Sequence, residues 1–200
     1  MSPRAYNRSL RRAAAEEARR RIAEAAAALH AKHGGRGTSH AMIAEKAGVS
    51  IPTVYKYFPT RNDLIPACTG LVAGRAPLAL DERIFEGLSR VPERVRALVR
   101  AVFRLHEHFA PWARWSGADA AVFPALRSFL DAAHEGRLKL IRRALRPAGT
   151  GAPGESLVLL ARVLLDFPSW GILTDSGMTS DRAAVVVADA ILKLHRSHRL

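Results

Sequence analysis

Between Thr38 and Phe58 the chain spaces small, polar and aromatic residues in a way suited to meeting duplex DNA. Ile43 and Ala47 fall on the inward side of a short helix, and Ala44 is small enough to let a second helix approach. Gly48 supplies a sharp turn, Val49 fills its corner, and Val54 anchors the helix that follows. Ser50 stands at the start of that helix, and Ile51, Pro52, Thr53, Lys56 and Tyr57 are left near its outer face. A helix presented this way fits a major groove, which admits one helix and shows a distinct donor and acceptor pattern for each base pair.

Other chemical signals are weaker. Gly149–Gly154 spells G-x-G-x-x-G but follows Arg146-Pro147 rather than a strand, and Pro153 stands where a phosphate-binding helix would begin. It therefore reads as an interhelical loop. His106 and His108 diverge on a helix, and His195 and His198 share a face near the C-terminus, with no Cys or carboxylate cluster to complete either pair. No metal or other cofactor is expected. Without a serine elbow, a phosphate-binding glycine loop or paired carboxylates, no catalytic residue is assigned and no enzyme is expected. Cys68 is alone, excludes an intrachain disulfide and reads as a small buried hydrophobe.

Composition narrows the class. An apolar fraction of 48% with 24% charged residues over 200 residues is that of a globular chain, not of a disordered or disulfide-stapled one. The longest apolar run, Leu157–Ala161 and Val163–Leu165, is broken by Arg162 and is too short to span a bilayer. The arginine-rich start is not a secretory signal, so no membrane association and a cytoplasmic location are expected. The net charge of +13 favours a polyanionic partner. Residues 1–66 hold 12 basic and 5 acidic groups, a net of +7, and residues 67–200 hold 19 and 13, a net of +6 over twice the length. The N-terminal third is the candidate nucleic-acid surface, and a solvated basic tail is the plainer alternative.

The elements that must position these residues are helical throughout. Leu10–His33 carries the stripe Ile22, Ala25, Ala26 and Leu29 and ends at Gly34-Gly35. Thr38 or Ser39 caps a short helix to Ala47, and Ser50 caps a third, with Pro52 harmless in its first turn. Thr60 caps a fourth, with Asp63 reaching back. A helix from Pro92 carries Val95, Leu98, Val99, Val102, His106 and Phe109 and is expected to end at Pro111. The next runs from about Val122 to Leu145, with Leu126, Phe129, Leu130, Ala133, Leu138 and Ile141 inward. Leu157–Leu165 is apolar nearly all round, and Ser180–Arg196 places Ala184, Val187, Ala188, Ile191 and Leu194 on one stripe.

The segment Arg21–Leu64 resembles the TetR-type transcriptional regulators. The match includes Arg21-Ile22, Gly34, Thr38-Ser39, Ile43-Ala44, Ala47-Gly48-Val49-Ser50, Thr53-Val54-Tyr55, Phe58, Arg61 and Leu64. The resemblance implies an all-α fold. Residues 1–66 would form a helix-turn-helix DNA-binding head with a basic N-terminal arm, and residues 67–200 an effector-binding and dimerisation body. It implies phosphate contacts from Ser39, His40 and Arg61, base-edge contacts from Ile51, Pro52 and Thr53, a phosphate bond from the Tyr55 hydroxyl, and backbone or base contacts from Lys56 and Tyr57. Tyr55 can instead pack between the second and fourth helices. Many members carry Arg or Lys where this chain has Ala41 or Ile51, and Gly where it has Pro52. The segment Arg4–Arg12 either offsets this at the flanking backbone or minor groove or is a mobile tail.

In a body of this kind some of Phe103, His106, Phe109, Trp112, Phe123, Phe129, Phe167 and Trp170 would line a cavity for a small, largely apolar effector. The two C-terminal helices are too apolar to stand exposed, and pairing with their symmetry mates in a homodimer buries them. The expectation is a homodimeric regulator, in the first instance a repressor, that binds a palindromic double-stranded DNA operator and is released by the effector. An all-helical ligand carrier or enzyme with an incidental basic head, and a non-specific architectural DNA binder, are the rival readings.

Overall fold

A computed structural model describes residues 3–146 and 152–197, and all regular structure among them is helical. The helices are α1 (Pro3–His33), α2 (His40–Ala47), α3 (Ile51–Tyr57), α4 (Arg61–Gly74), α5 (Val91–Ala120), α6 (Pro124–Leu145), α7 (Glu155–Leu164), α8 (Phe167–Asp175) and α9 (Ser180–Ser197), with a 3-10 turn at Glu82–Phe85. Most of the Gly149–Gly154 loop, His198 and the side chain of Arg4 lie outside the described residues. The chain forms two compact units. The head unit is the chain up to Arg75 together with Pro111–Phe129, and the body unit is Ala76–Ala110 together with the chain from Leu130.

The head is built on local rules. Ile22 and Ala26 of α1 are fully buried with Ile43, Ala44, Val54, Phe58 and Leu64, and α1 packs on α2 and α4 while α2 packs on α3. Gly34 ends α1 with φ +71° and Gly48 ends α2 with φ +61°, both in the left-handed region that favours glycine. Ser39, rather than Thr38, caps α2 by accepting from the Met42 amide. Thr38 is buried and turns its hydroxyl back to the Gly34 carbonyl at 2.7 Å. Thr60 and Asp63 form the reciprocal box at the start of α4, and the two bonds from Thr60 hold the Asp63 carboxyl below its usual range.

Two boundaries differ from the sequence reading. Helix α1 begins at Pro3 rather than near Leu10. Pro3 is tolerated in the first turn, where its missing N–H costs nothing, and the Arg and Ala residues behind it are strong helix formers. The pairs Arg12–Glu16, Arg20–Glu17 and Arg20–Glu24 brace the exposed turns that follow. Helix α5 does not end at Pro111 but runs on to Ala120. An internal proline costs a helix about 3 kcal/mol. Tertiary bonds to the turns beyond it offset that cost: Trp112 Nε1 donates to the Ala27 carbonyl at 2.8 Å, Trp115 Nε1 to Ala31 at 3.3 Å, and the Asp119 carboxylate accepts from two amides of the α1–α2 turn.

The body core joins Val95, Val99, Val102 and Phe103 of α5 to Ile141 and Leu145 of α6, Leu157 and Ala161 of α7 and Val187 and Ile191 of α9. Arg94 is buried and donates to the Ser89 carbonyl at 2.7 Å and to the carbonyls of Ala144 and Arg146 at the end of α6. Three expectations change here. Phe129 and Ala133 of α6 are exposed, and burial on that helix is confined to Leu140–Leu145. Periodicity shows which residues share a face, not whether another element covers it. Helix α7 is buried on one side only, through Leu157, Val158 and Ala161. Helix α8 was not anticipated because Pro168 and Gly171 interrupt its pattern, yet the proline sits in the first turn, where it does no harm.

Candidate nucleic-acid interface

The outward surface of the head is helix α3 and the caps on either side of it. Val54 is fully buried and turns the helix so that Ser50, Ile51, Pro52, Tyr55 and Lys56 are exposed, with Thr53 and Tyr57 half-buried. Ser50 Oγ accepts from the Thr53 amide at 3.3 Å and lies 2.7 Å from Thr53 Oγ1, so the two hydroxyls share a proton bond at the tip of the helix. Ser39 is exposed at the tip of α2. It accepts from Met42 and keeps its own O–H to donate outward.

His40 is not placed as the resemblance implied. Its ring is 9% exposed, its Nε2 lies 3.1 Å from the Phe58 carbonyl, and it stacks on Tyr55 with centroids 4.4 Å apart. A carbonyl only accepts, so Nε2–H donates, and the ring ties the end of α3 to the start of α2 instead of facing outward. Tyr55 therefore has one ring face on His40 and remains 50% exposed. Arg61 is exposed at the start of α4 and also donates to the carbonyls of Arg36 and Thr38, both at 3.3 Å, with its guanidinium 5.5 Å from the Phe123 ring centroid.

Some positioning residues have no local signal. Arg21 donates to the carbonyls of Ala47 and Gly48, locking the turn between α2 and α3. A Cβ at Gly48 would lie 2.7 Å from that guanidinium. Arg19 places its guanidinium 5.9 Å from the Tyr57 ring and 5.5 Å from that of Phe58, and Lys56 Nζ is 5.4 Å from Tyr57. Asp119 is buried and accepts from the amides of Gly35 at 2.6 Å and Arg36 at 2.9 Å. Asn62 accepts from the Ala125 amide at 3.0 Å. Only a fold that closes more than eighty residues of chain brings Asp119 to Gly35.

The candidate effector residues divide between the units. Phe103, His106, Phe167 and Trp170 come together in the body, with His106 centroids 6.0, 5.5 and 6.0 Å from the three rings and Phe167 5.3 Å from Trp170. His106 Nε2 donates to the Leu165 carbonyl at 2.9 Å, a carbonyl that also accepts from Arg137 at 3.1 Å. Burial pushes His106 down to about 4, so the ring is neutral and Nδ1 is an acceptor. Phe109 is half-buried in the body against the edge of His108. Trp112, Phe123 and Phe129 belong to the head unit: Trp112 bonds to α1, Phe123 lies under Arg61 and beside Gly35, and Phe129 is exposed. Cys68 is buried, donates to the Ile65 carbonyl and lies 3.6 Å from His30 Nδ1, and burial pushes its thiol up to about 11, so it stays protonated at neutral pH and packs as a small hydrophobe.

No single helix among the described residues is long and apolar enough to cross a membrane. Residues 22–68 match the family described as bacterial regulatory proteins, tetR family. The chain is 28% identical over 158 residues to the HTH-type transcriptional repressor KstR of Mycolicibacterium smegmatis, a match covering 76% of this chain and 74% of KstR. Its fold is similar to that of a tetR-family transcriptional regulator from Streptomyces coelicolor, with a TM-score of 0.66 at 18% identity over 92% of this chain and 83% of that one. It is also similar to that of the TetR-like regulator LfrR of Mycobacterium smegmatis in complex with proflavine, with a TM-score of 0.55 at 23% identity over 90% and 96%.

Proposed function

Since the chain belongs to the tetR family of bacterial regulatory proteins, we propose that it is a homodimeric transcriptional repressor that binds a palindromic DNA operator and is released by a small, largely apolar effector. One observation carries the DNA reading: α3 is anchored by the buried Val54 and presents Ser50, Ile51, Pro52, Tyr55 and Lys56 to solvent behind a turn locked by Arg21. In this reading Ser39, Tyr55 and Arg61 take phosphates, Ile51, Pro52 and Thr53 face base edges, and Lys56 and Tyr57 reach backbone or bases. DNA contact is assigned to residues 1–66, effector binding and dimerisation to residues 67–200, and the site of action to the cytoplasm, where the operator is.

Exposed apolar residues on α7, α8 and α9, Val163 and Ile172 above all, support pairing of two copies. A twofold dimer places two recognition helices at half-sites about 34–36 Å apart. The ring cluster of Phe103, His106, Phe167 and Trp170 supports a largely apolar effector. To weaken operator binding about 100-fold, the effector must prefer the non-binding state by about 2.7 kcal/mol.

The test is binding to duplex fragments selected by the protein from genomic DNA, followed across a salt series. Tyr55→Phe removes a hydroxyl bond to a charged oxygen and weakens binding about tenfold. Lys56→Ala reduces the salt slope by about 0.9 for each protomer, about 1.8 for the dimer. A flat salt response, or two variants that bind as the wild type does, would reject these contacts. Binding indifferent to sequence would point to an architectural protein instead.

A further inference from the structure

We propose that the N-terminal half of α1 is a second DNA-contacting element, a basic helix lying along the phosphodiester backbone beside the groove that α3 enters. The proposal rests on the DNA-binding reading above and adds a surface to it. The first argument is register. Arg8, Arg12, Arg19, Ile22 and Ala26 lie on one stripe of α1, since their intervals of four, seven, three and four return to the same face of a helix. Ile22 and Ala26 are fully buried in the head. The stripe that packs the second half of α1 into the head therefore carries arginine in the first half, where residues 8–14 are exposed.

The second argument is continuity with α3. Arg19 lies on the stripe and sets its guanidinium over Tyr57 and Phe58, at the end of the recognition helix. The arginine face is thus turned to the side on which α3 ends. The third is charge. Glu17 and Glu24 are drawn to Arg20, off the stripe, and of the acidic residues in this half only Glu16 reaches a stripe arginine, Arg12. What remains is a net positive face, on which Glu16 beside Arg12 is the one carboxylate among the described residues.

Geometry selects the occupant. A helix is about 10–12 Å across, and a B-form minor groove is about 6 Å wide, so this element cannot enter it as an extended arm does. With the adjacent major groove taken by α3, the backbone is what remains. From Arg8 to Arg19 the helix rises about 16 Å, the axial length of about five phosphates on one strand. Such contacts fix register and add affinity without reading sequence.

The experiment measures affinity for a random-sequence duplex of about 40 base pairs between about 50 and 200 mM salt. Wild type is compared with the triple variant Arg8→Gln, Arg11→Gln, Arg12→Gln, Arg11 being exposed and beside Arg8 at a spacing of three on the same side of the helix, and with a control that removes equal charge from exposed positions of α5, Arg96→Gln, Arg100→Gln, Arg104→Gln. Glutamine keeps helix propensity close to that of arginine, so far-ultraviolet dichroism is expected to match across all three. The N-terminal triple flattens the logarithmic salt slope by about 2 to 3 for each protomer engaged, about 5 for a dimer, and the control leaves it unchanged. Equal flattening by both triples would reduce the effect to net charge and overturn the proposal, as would a wild-type slope in the N-terminal triple. A wild type with no affinity for this duplex or for any selected genomic fragment would instead overturn the DNA reading itself, and this extension with it.

Discussion

The recognition helix and the C-terminal helices both leave large side chains in water, and they do so in different company. On α3, Ile51 and Tyr55 are about half exposed among Ser50, Thr53 and Lys56, groups that donate or accept hydrogen bonds or carry charge. On α7, α8 and α9 the exposed residues are Leu159, Leu160, Val163, Ile172, Val185 and Val186, with Ile172 at 72% and Val163 at 61%. A surface of the first kind suits a wet, polar partner such as nucleic acid. A surface of the second kind suits a partner as apolar as itself. Among the described residues the body leaves apolar side chains exposed on α7, α8 and α9, the surface that the proposed dimer would cover.

That contrast breaks most directly at the body. Val163→Glu combined with Ile172→Glu sets carboxylates in the proposed dimer face, where an unpaired charge is costly. Sedimentation should show the mass in solution halved, and affinity for the selected fragments should fall by about 100-fold or more, as expected when two linked half-sites become one. A variant that stays dimeric would place the dimer face elsewhere.

Next comes pH. Burial holds the folded His106 at about 4 against an ordinary 6.5. Above pH 6.5 both the folded and the unfolded ring are neutral, and the group costs nothing. As the pH falls from 6.5 towards 4 the unfolded chain takes the proton first, so stability falls, by up to about 3 kcal/mol, and then levels off. Urea unfolding over this range should show the decline, and His106→Asn should remove that part of it. His30 in the head is pushed down by burial as well, so His30→Asn should also reduce the loss of stability that sets in as the pH falls below 6.5.

The smallest effect sharpens the head. Asp119→Ala leaves the Gly35 and Arg36 amides without their acceptor and should cost about 2 to 3 kcal/mol. For a chain of this length that lowers Tm by about 5 to 10 °C, measurable by scanning calorimetry. An unchanged Tm would mean that the last turns of α5 lie on the head without fixing it.

The difference between the units also governs how much was legible. Caps at Ser39, Ser50 and Thr60, the Gly48 turn and the inward Val54 all act within four residues, so the head's helices and the outward side of α3 follow from local spacing. His40 defeated the same reasoning because its partner, the Phe58 carbonyl, comes from the far end of the motif. The reading of Phe103, His106, Phe109, Trp112, Phe123, Phe129, Phe167 and Trp170 as one group could not see that α5 and α6 each serve two units, which places Trp112 and Phe123 in the head. Pro111 misled for a related reason, since the bonds that offset it come from α1 and the Gly35 turn.

The amino-acid sequence by itself determined the all-helical class, the helix-turn-helix and the concentration of positive charge in the first third. Propensity, capping and charge are properties of neighbouring residues and survive without a fold. Only the tertiary structure decided which arginines lock the motif and which face outward, that α5 continues past its proline, and which aromatic rings meet. Those outcomes depend on groups far apart in the chain, whose approach is set by packing free energy over the whole unit rather than by any local pattern.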